Sequence, residues 1–565
     1  MSQTTAGNQA MTDEKEQDTS EVSGPATVEN SSPKERWSSI DNDKSDGHIF
    51  LLIFSLFLGV FVMALDQTII GTAVPAITSE FNSLDDIAWY GSGYLLTITA
   101  FQPTFGKLYQ FFRAKTVFMA CVVVFEVGSI LCAAAPTSDV FIAGRAIAGT
   151  GAAGLFQGSL AIITRTIRLE KRPLCISIVT STFAVSVAIG PVIGGAFADR
   201  VTWRWCFWIN VPIGAVGLIL IYFLLHIPKD VQSTEFKSLS LSRRILKLDP
   251  VGAVLIIGAV VSILLALQWG GQSLPFNSST VIGLLVGFGV LLITFFVIQY
   301  FRGDDATLPL RLLRQRSILS GAVFSLFFSM PSYVYGYYIP IYFQAVKETS
   351  ATISGTRYLA LVLPQLFGVV LTGALVTMFG VYTPYMIIGT AIAVVGSGLL
   401  LLFGLETTAA QWASFLVICG LGTGFSINLP YTIIQAVLEE DQAPMGNAAF
   451  QFMFQLGGAL GLSISQTIFL NRLKSSAMDL TPSIPYSAIM QAGAHNLRGI
   501  APTPEIYDNL RQAYNNALHD TYIYPVAVTG AALLACLGLE HKNIKHVEKG
   551  RAQAKLDKKE GDKIA

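Results

Sequence analysis

Long apolar runs constrain this chain more than any other feature of its sequence. Fourteen runs of about twenty residues, bounded by charged or turn residues, lie between residues 48 and 540, and a helix of that length crosses a hydrocarbon core of roughly 30 Å. A spanning segment satisfies its backbone hydrogen bonds internally, so helices are expected. The chain is 52% hydrophobic and only 13% charged, which excludes a soluble domain of this length. We predict an all-α polytopic membrane protein.

The distribution of basic residues predicts the orientation of the spans. With both tails in the cytoplasm, 28 of the 37 lysines and arginines fall on the cytoplasmic side, as the positive-inside bias requires. Residues 1–47 are polar and acidic without an apolar run, a composition typical of disorder. We therefore predict a disordered cytoplasmic tail over 1–47, a long outer loop over 471–520 and a basic cytoplasmic tail over 541–565.

Glycine-rich segments recur in the two halves of the chain. GTGAAGLFQGS in the fourth span has a counterpart in GLGTGFSINLP of the twelfth, and GPVIGG in the fifth has one in GGALGLS of the thirteenth. Each cluster alone is typical of close helix packing, but paired clusters are typical of transporters built from repeats. We predict two six-helix bundles, residues 48–227 and 318–540, separated by a cytoplasmic loop and two linker helices within 228–317.

One acid, Asp66, lies inside the first apolar span, FVMALDQTIIGTAVPAI. About 16 residues at 1.5 Å each place it roughly 24 Å from the inner boundary, and Arg145 of the antiparallel fourth span lies about 9 Å inside the outer end. The two charges share a depth at which an isolated charge costs at least about 2.5 kcal/mol, so pairing is expected. Either the pair is a static link between helices, or Asp66 titrates during transport and Arg145 tunes it.

Two further groups of residues are candidates for parts of a transport machine. Glu126, in the third span, is the other buried acid, and both a hydrogen bond to a neighbouring Ser or Thr and a role in proton coupling fit its position. The GPVIGG segment combines a proline without an amide hydrogen with glycines that allow close helix contact. It predicts either a conformational joint or an ordinary kink at Gly190, Pro191, Gly194 and Gly195.

Uncharged polar and aromatic residues inside the spans predict a substrate cavity. The ninth span carries Tyr335, Tyr337 and Tyr338, which fit either an interfacial aromatic belt or a surface that stacks on a planar apolar substrate. Amide side chains in a mostly apolar pocket supply sparse hydrogen bonds to a ligand, and those that lie within predicted spans are Gln157, Asn428, Gln451 and Gln455.

The chain lacks sequence motifs for chemical catalysis. It contains no phosphate-binding loop, no HExxH metal motif and no nucleophile elbow, and its six cysteines show no metal-ligand spacing. We therefore predict a protein that is not an enzyme and has no metal, no cofactor and no nucleic-acid partner. The expected partners are a small molecule, protons and the lipid bilayer, with a gradient as the energy source.

Four motifs resemble those of the major facilitator superfamily, in its fungal 14-span drug:proton antiporter branch. LDQTIIGTAVPAI resembles the first-helix motif, GRAIAGTGAAG the fourth-helix arginine motif and GPVIGG the fifth-helix antiporter motif. WRWCFWINVPIG, residues 203–214, is similar to the signature entering the sixth helix and is the most specific match. One segment departs from the pattern: GKLYQFFRAK places Gln110 where the family has Asp and Arg113 where it has Gly, which puts the usual gating charge network in question.

The resemblance implies a fold of fourteen helices and an export function. We expect a monomeric, proton-coupled efflux pump for amphipathic compounds, such as drugs, toxins or secondary metabolites, in the plasma membrane or an endomembrane. Relatives with 14 spans also carry siderophores or basic amino acids, and Arg145 argues against cationic substrates nearby. A transport-inactive receptor or scaffold is the alternative from another class, and the chain lacks the long soluble tails that would favour it.

Overall fold

The computed structural model describes residues 46–81, 86–225, 240–270, 274–303, 306–307, 310–493 and 497–551, together with 553 and 557. Apart from its last two residues, the predicted disordered tail over 1–47 lies outside these ranges, as does most of the loop before the linker helices. The described chain is helical almost throughout.

Within the described ranges of the first half and the linker there are twelve α-helices. They are α1 (Asp46–Phe81), α2 (Ile87–Phe111), α3 (Ala114–Ala133), α4 (Ser138–Thr166), α5 (Arg172–Thr180), α6 (Thr182–Arg200), α7 (Trp205–Trp208), α8 (Asn210–Leu224), α9 (Leu241–Lys247), α10 (Pro250–Trp269), α11 (Ser279–Arg302) and α12 (Leu310–Leu313).

In the second half, nine α-helices between residues 316 and 536 are described. They are α13 (Arg316–Ile341), which continues into a π-helical turn at Tyr342–Val346, α14 (Ala351–Phe379), α15 (Thr383–Leu399), α16 (Ala409–Ser426), α17 (Leu429–Val437), α18 (Ala443–Leu480), α19 (Tyr486–Ala492), α20 (Leu497–Ile500) and α21 (Pro504–Cys536).

Twelve helical segments of the described chain are long and apolar enough to cross a membrane. The two other predicted spans, 88–110 and 521–540, fall on α2 and α21, which are helical but diluted by polar residues. The protein is therefore a multi-span membrane protein, and the count of fourteen spans stays a prediction. The predicted outer loop over 471–520 is largely helical, because α18 and α21 continue well beyond their apolar segments.

The repeated glycine clusters bring helices to backbone distance in both halves. A methyl group on Gly151 of α4 would lie 2.4 Å from the backbone nitrogen of Phe125 in α3. In the second half, a methyl group on Gly422 of α16 would lie 2.3 Å from the backbone nitrogen of Ala393 in α15. Such contacts leave no room for a side chain. The clusters therefore hold α4 and α16 tightly against their neighbours.

Asp249 fixes the linker helices α10 and α11 to each other. Its fully buried carboxylate caps α10 by accepting from the Gly252 amide at 2.9 Å, and it also accepts from Gln299 at 2.7 Å and Arg302 at 2.7 Å in α11. The backbone amide and the hydroxyl of Thr307 also donate to Asp249 Oδ2, each at 2.9 Å. Burial opposes ionisation, but the hydrogen bonds from Gln299, Gly252 and Thr307 outweigh it and lower the pKa of Asp249.

We expect Asp249→Ala to lower the free energy of unfolding by about 3–5 kcal/mol, because Arg302 and four other donor contacts lose their shared acceptor. Thermal unfolding in detergent measures the change. The carboxyl pKa is lowered on folding, so this stabilisation is present above the unfolded-state pKa and is lost as pH falls through the folded-state pKa. Unchanged stability in Asp249→Ala would contradict the role given to this carboxylate.

Candidate functional site

Asp66 of α1 and Arg145 of α4 form an ion pair inside the first half of the protein. Arg145 Nη1 donates to Asp66 Oδ2, and the two side chains are 1% and 0% exposed. Arg145 Nε donates to the backbone oxygen of Tyr90 at 2.9 Å. The guanidinium carbon also lies 4.5 Å from the centre of the Tyr94 ring and 5.7 Å from that of Phe207. Aromatic faces attract a cation, so the guanidinium is held by charge, hydrogen bonds and rings together.

Asn210 of α8 occupies the second oxygen of the Asp66 carboxylate. Its Nδ2 lies 3.2 Å from Asp66 Oδ1 and 3.2 Å from Ser129 Oγ of α3. Both carboxylate oxygens therefore accept hydrogen bonds within the buried site. Asn210 was not among the residues predicted from the sequence. It lies within the WRWCFWINVPIG motif, which could have drawn attention to it, but the presence of an asparagine in an apolar helix does not show that it binds an acid.

The beginning of the same motif ties the outer ends of α1 and α3 together. Trp203 Nε1 and Arg204 Nη2 donate to the two carboxylate oxygens of Glu80 at 2.6 and 2.7 Å. Arg204 Nη1 also donates to the backbone oxygens of Ala133 and Ala135, each at 2.9 Å. Burial opposes ionisation of Glu80, but the bonds from Trp203 and Arg204 lower its pKa. The motif thus links α1, which carries Asp66, to the end of α3.

Glu126 lies near the pair but has no hydrogen-bond partner among the described residues. Neither of its carboxylate oxygens is bonded, so the predicted hydrogen bond to a neighbouring Ser or Thr is wrong. The nearby hydroxyl, Ser129, is bonded to Asn210 instead. A methyl group on Gly214 of α8 would lie 1.7 Å from Glu126 Oε1. The carboxyl group therefore rests against α8 one helical turn from the level of Asn210.

The GPVIGG glycines of α6 differ in their surroundings. A methyl group on Gly190 would lie 2.3 Å from Thr68 Oγ1 of α1, whereas one on Gly195 would meet nothing within 4 Å. Thr68 Oγ1 in turn donates to the Ser186 backbone oxygen of α6 at 3.0 Å. The helix is continuous from Thr182 to Arg200 through Pro191, and Gly194 is buried. The expected close contact is present at Gly190 and absent at Gly195, where the prediction is corrected.

We expect Gly190→Leu to abolish export at normal abundance, because the leucine side chain forces α1 and α6 apart beside the buried pair. Gly195→Leu is the matched control and is expected to export like the unmodified protein. Transport per molecule, with abundance measured by size-exclusion chromatography, distinguishes the two. Equal activity of both variants would show that the α1–α6 contact does not matter for transport.

The three predicted cavity tyrosines of α13 have different surroundings. Tyr335 donates to Ser397 of α15 at 2.5 Å, Tyr338 is buried against Phe469 of α18 and Tyr337 is 62% exposed. The proposed stacking role for these three residues is therefore corrected. Gln157 Nε2 donates to Gln102 Oε1 at 2.7 Å within the first half, whereas its own Oε1 has no partner among the described residues. Its role in a substrate cavity stays a prediction.

Other polar and aromatic residues meet where the two halves face each other. Tyr431 of α17 donates to Gln451, and its ring centre lies 5.8 Å from that of Phe156 in α4. Tyr333 donates to Gln455. Asn428 donates to Thr180 of α5 across the interface. Of the predicted cavity residues, Asn428, Gln451 and Gln455 therefore belong to this interface. Phe156 and Tyr431 also belong to it and were not predicted from the sequence.

The halves are joined at the end of the bundle predicted to be cytoplasmic. Arg172 donates to Glu440 at 2.8 Å and to Gln435 at 3.3 Å, and Thr164 donates to Gln435 at 3.2 Å. The backbone nitrogen of Glu170 donates to Glu548 of the final segment at 3.1 Å. These contacts close that end.

The segment that departs from the family pattern, residues 106–115, is held by Arg165 of α4. Arg165 donates to the backbone oxygen of Tyr109, a contact that needs no acid at position 110.

The fold and the sequence agree on one family. The model of the Major Facilitator Superfamily matches residues 56–462 of this chain. This chain belongs to the major facilitator superfamily. Two solved structures share its fold. The proton:xylose symporter XylE has a TM-score of 0.56 and 14% sequence identity, and the match covers 89% of this chain and all of that chain. The human organic anion transporter MFSD10 has a TM-score of 0.54 and 13% sequence identity, and the match covers 85% of this chain and 99% of that chain.

Several similar members of the superfamily are fungal proteins named as efflux pumps. The MFS-type efflux pump MFS1 of Arthroderma benhamiae is 39% identical over 94% of this chain and 98% of that protein. The efflux pump aflT of Aspergillus parasiticus is 40% identical over 88% and 96%, and roqT of Penicillium rubens is 39% identical over 92% and 96%. This superfamily member is therefore a transporter, similar to pumps that export small molecules.

Proposed function

We propose that this protein is a proton-coupled antiporter that exports amphipathic organic compounds across the plasma membrane. The observation that carries the proposal is the fully buried Asp66, whose two oxygens are held by Arg145 and Asn210. A carboxylate in this position is costly unless it is paired, and intramembrane acids of this kind are typical of proton relays. The names of the similar fungal proteins support export as the direction of transport.

Protonation of Asp66 is the step that would couple the gradient to movement. A proton on the carboxyl removes the charge that holds the Arg145 guanidinium and turns one accepting oxygen into a donor. The Asp66 contacts with α4 and α8 then weaken together. A proton that binds the two global states with different affinity shifts their populations, and the contacts at the predicted cytoplasmic end would break in the inward-facing state.

The residues between the halves favour an uncharged amphipathic substrate. Phe156, Tyr431 and Gln451 contribute rings and amides, and Phe183 adds a ring 5.8 Å from that of Phe156. Aromatic surfaces with a few polar groups suit planar apolar compounds. A basic amino acid would instead need an unpaired acid here, and the buried Asp66 is already paired with Arg145.

Transport by purified protein in inside-out vesicles tests this proposal. With an acidic lumen, we expect accumulation of neutral amphipathic compounds and loss of that accumulation when a protonophore collapses the gradient. The comparison panel contains a ferric siderophore and radiolabelled arginine at matched concentration. Accumulation that is insensitive to the protonophore would contradict proton coupling, and accumulation of arginine alone would contradict the substrate class.

A further inference from the structure

A surface cavity between α2, α3 and α4 is separate from the interface between the halves. Its volume is ≈ 500 Å³. Its walls are almost entirely apolar, and the residues that line it are Phe105, Leu108, Phe112, Arg113, Thr116, Val117, Ala120, Cys121, Val124 and Thr150. Val123 and Val127, on the same surface of α3, are 51% and 46% exposed, as expected of a helix face that contacts lipid.

The cavity has the length of one lipid leaflet. It extends along α3 from Arg113, at the start of the helix, to Val124 near its middle. Eleven residues at 1.5 Å each give roughly 16 Å, and half of a hydrocarbon core is about 15 Å. The residues at the deep end, Val124 and Thr150, therefore lie close to the middle of the bilayer. The Thr150 hydroxyl is bonded to its own helix at 3.0 Å, so the deep end presents no free polar group.

The shallow end of the cavity carries an unengaged positive charge. Arg113 is exposed, and within the described ranges its guanidinium has no hydrogen-bond or ion-pair partner. The neighbouring Lys115 is engaged, because its Nζ donates to the Tyr222 backbone oxygen at 2.6 Å and lies 5.1 Å from the Tyr222 ring centre. Among the described residues that line the cavity, Arg113 is therefore the cation at the depth of the cytoplasmic headgroups.

We propose that this cavity binds one anionic phospholipid of the cytoplasmic leaflet. One acyl chain lies in the apolar groove between α2, α3 and α4, and the headgroup phosphate and its neighbouring negative charge lie against Arg113. Basic side chains at the cytoplasmic membrane surface attract anionic lipids, and the groove adds contact along the whole chain. The proposal rests on the membrane location of the protein and does not depend on its transport mechanism.

Lipid titration of the purified protein, followed by native mass spectrometry, tests the site. We expect phosphatidylserine to bind about fivefold more tightly than phosphatidylcholine, the difference made by one basic side chain near the surface. In Arg113→Gln the two lipids are expected to bind equally. Ala120→Trp places a large side chain in the groove from an exposed position and is expected to weaken the binding of both lipids. Val124→Trp is a second variant that fills the groove. Glycerophosphoserine, a headgroup without chains, is expected not to displace phosphatidylserine.

Arg314→Gln is the matched control, because Arg314 is also exposed near the predicted cytoplasmic end but lies outside the cavity. It is expected to leave the preference unchanged. The proposal would be overturned if Arg113→Gln kept the full preference for phosphatidylserine over phosphatidylcholine, or if Arg314→Gln lost that preference to the same extent. Unchanged lipid binding in both folded tryptophan variants, or displacement by glycerophosphoserine, would do the same. Competition by an exported compound for the groove would assign it to the transported substrate instead.

Discussion

Asp66→Asn is expected to reduce gradient-driven export to the level of protein-free vesicles while leaving the fold intact. Asparagine has nearly the shape of the protonated acid and keeps an oxygen that can accept from Arg145 or Asn210. The side chain no longer binds or releases a proton, so a pH gradient has no group to act on at this position. Uphill accumulation per folded molecule, compared with exchange of substrate at equal concentrations on both sides, measures the loss.

Exchange is expected to fall much less than uphill transport in this variant. Glu126→Gln is the parallel variant, because Glu126 is the other carboxyl near the pair and its oxygens have no partner among the described residues. Full gradient-driven export by Asp66→Asn would exclude Asp66 as the obligatory proton site. Loss of export in Glu126→Gln under the same conditions would then assign proton coupling to Glu126.

Arg145→Ala is expected to move the pH optimum of export upward by about 1 to 3 units, the usual effect of a neighbouring opposite charge on an acid. Without the guanidinium, the buried carboxyl favours its neutral form, so it keeps its proton at higher pH. Because the acid neutralises rather than remaining charged and unpaired, protein abundance is expected to stay close to that of the unmodified protein. The pH profile of export between pH 5 and 9 measures the shift.

A static ion pair predicts a different outcome for the same variant. Removing one partner of a buried pair that must stay charged costs about 3–5 kcal/mol, so folded Arg145→Ala protein would be scarce and its pH optimum unchanged. Arg204→Ala is a suitable comparison, since Arg204 pairs with Glu80 at the outer ends of α1 and α3 rather than with the buried acid. It is expected to reduce stability without moving the optimum.

The pairing of Asp66 with Arg145 was predictable because two requirements fixed it. Membrane thickness fixes the depth of a residue along a span, and the cost of an isolated charge requires a partner at that depth. The glycine clusters were predictable for a similar reason, since small residues at regular spacing mark close helix contacts. Gly151 and Gly422 occupy equivalent close contacts in the two halves.

Direction around a helix axis was much harder to infer. Tyr337 points to a different side of α13 from Tyr335 and Tyr338, which lie three residues apart on one face, and the helix has no charged face from which to orient them. The missing contact at Gly195 was hard to predict for the same reason, because the sequence does not show which side of α6 faces a neighbouring helix. Asn210 was missed because an amide both donates and accepts hydrogen bonds, so its residue type does not specify which group it pairs with. Span counting was limited by the polar residues of α2 and α21.

Substrate-induced proton release by the purified protein tests the central claim most directly. A pH-sensitive dye in weak buffer records whether binding of an exported compound releases protons from the protein. We expect release from the unmodified protein and from Glu126→Gln, and none from Asp66→Asn that still binds the compound. Equal proton release by Asp66→Asn and the unmodified protein would contradict the assignment of Asp66 as the coupling site.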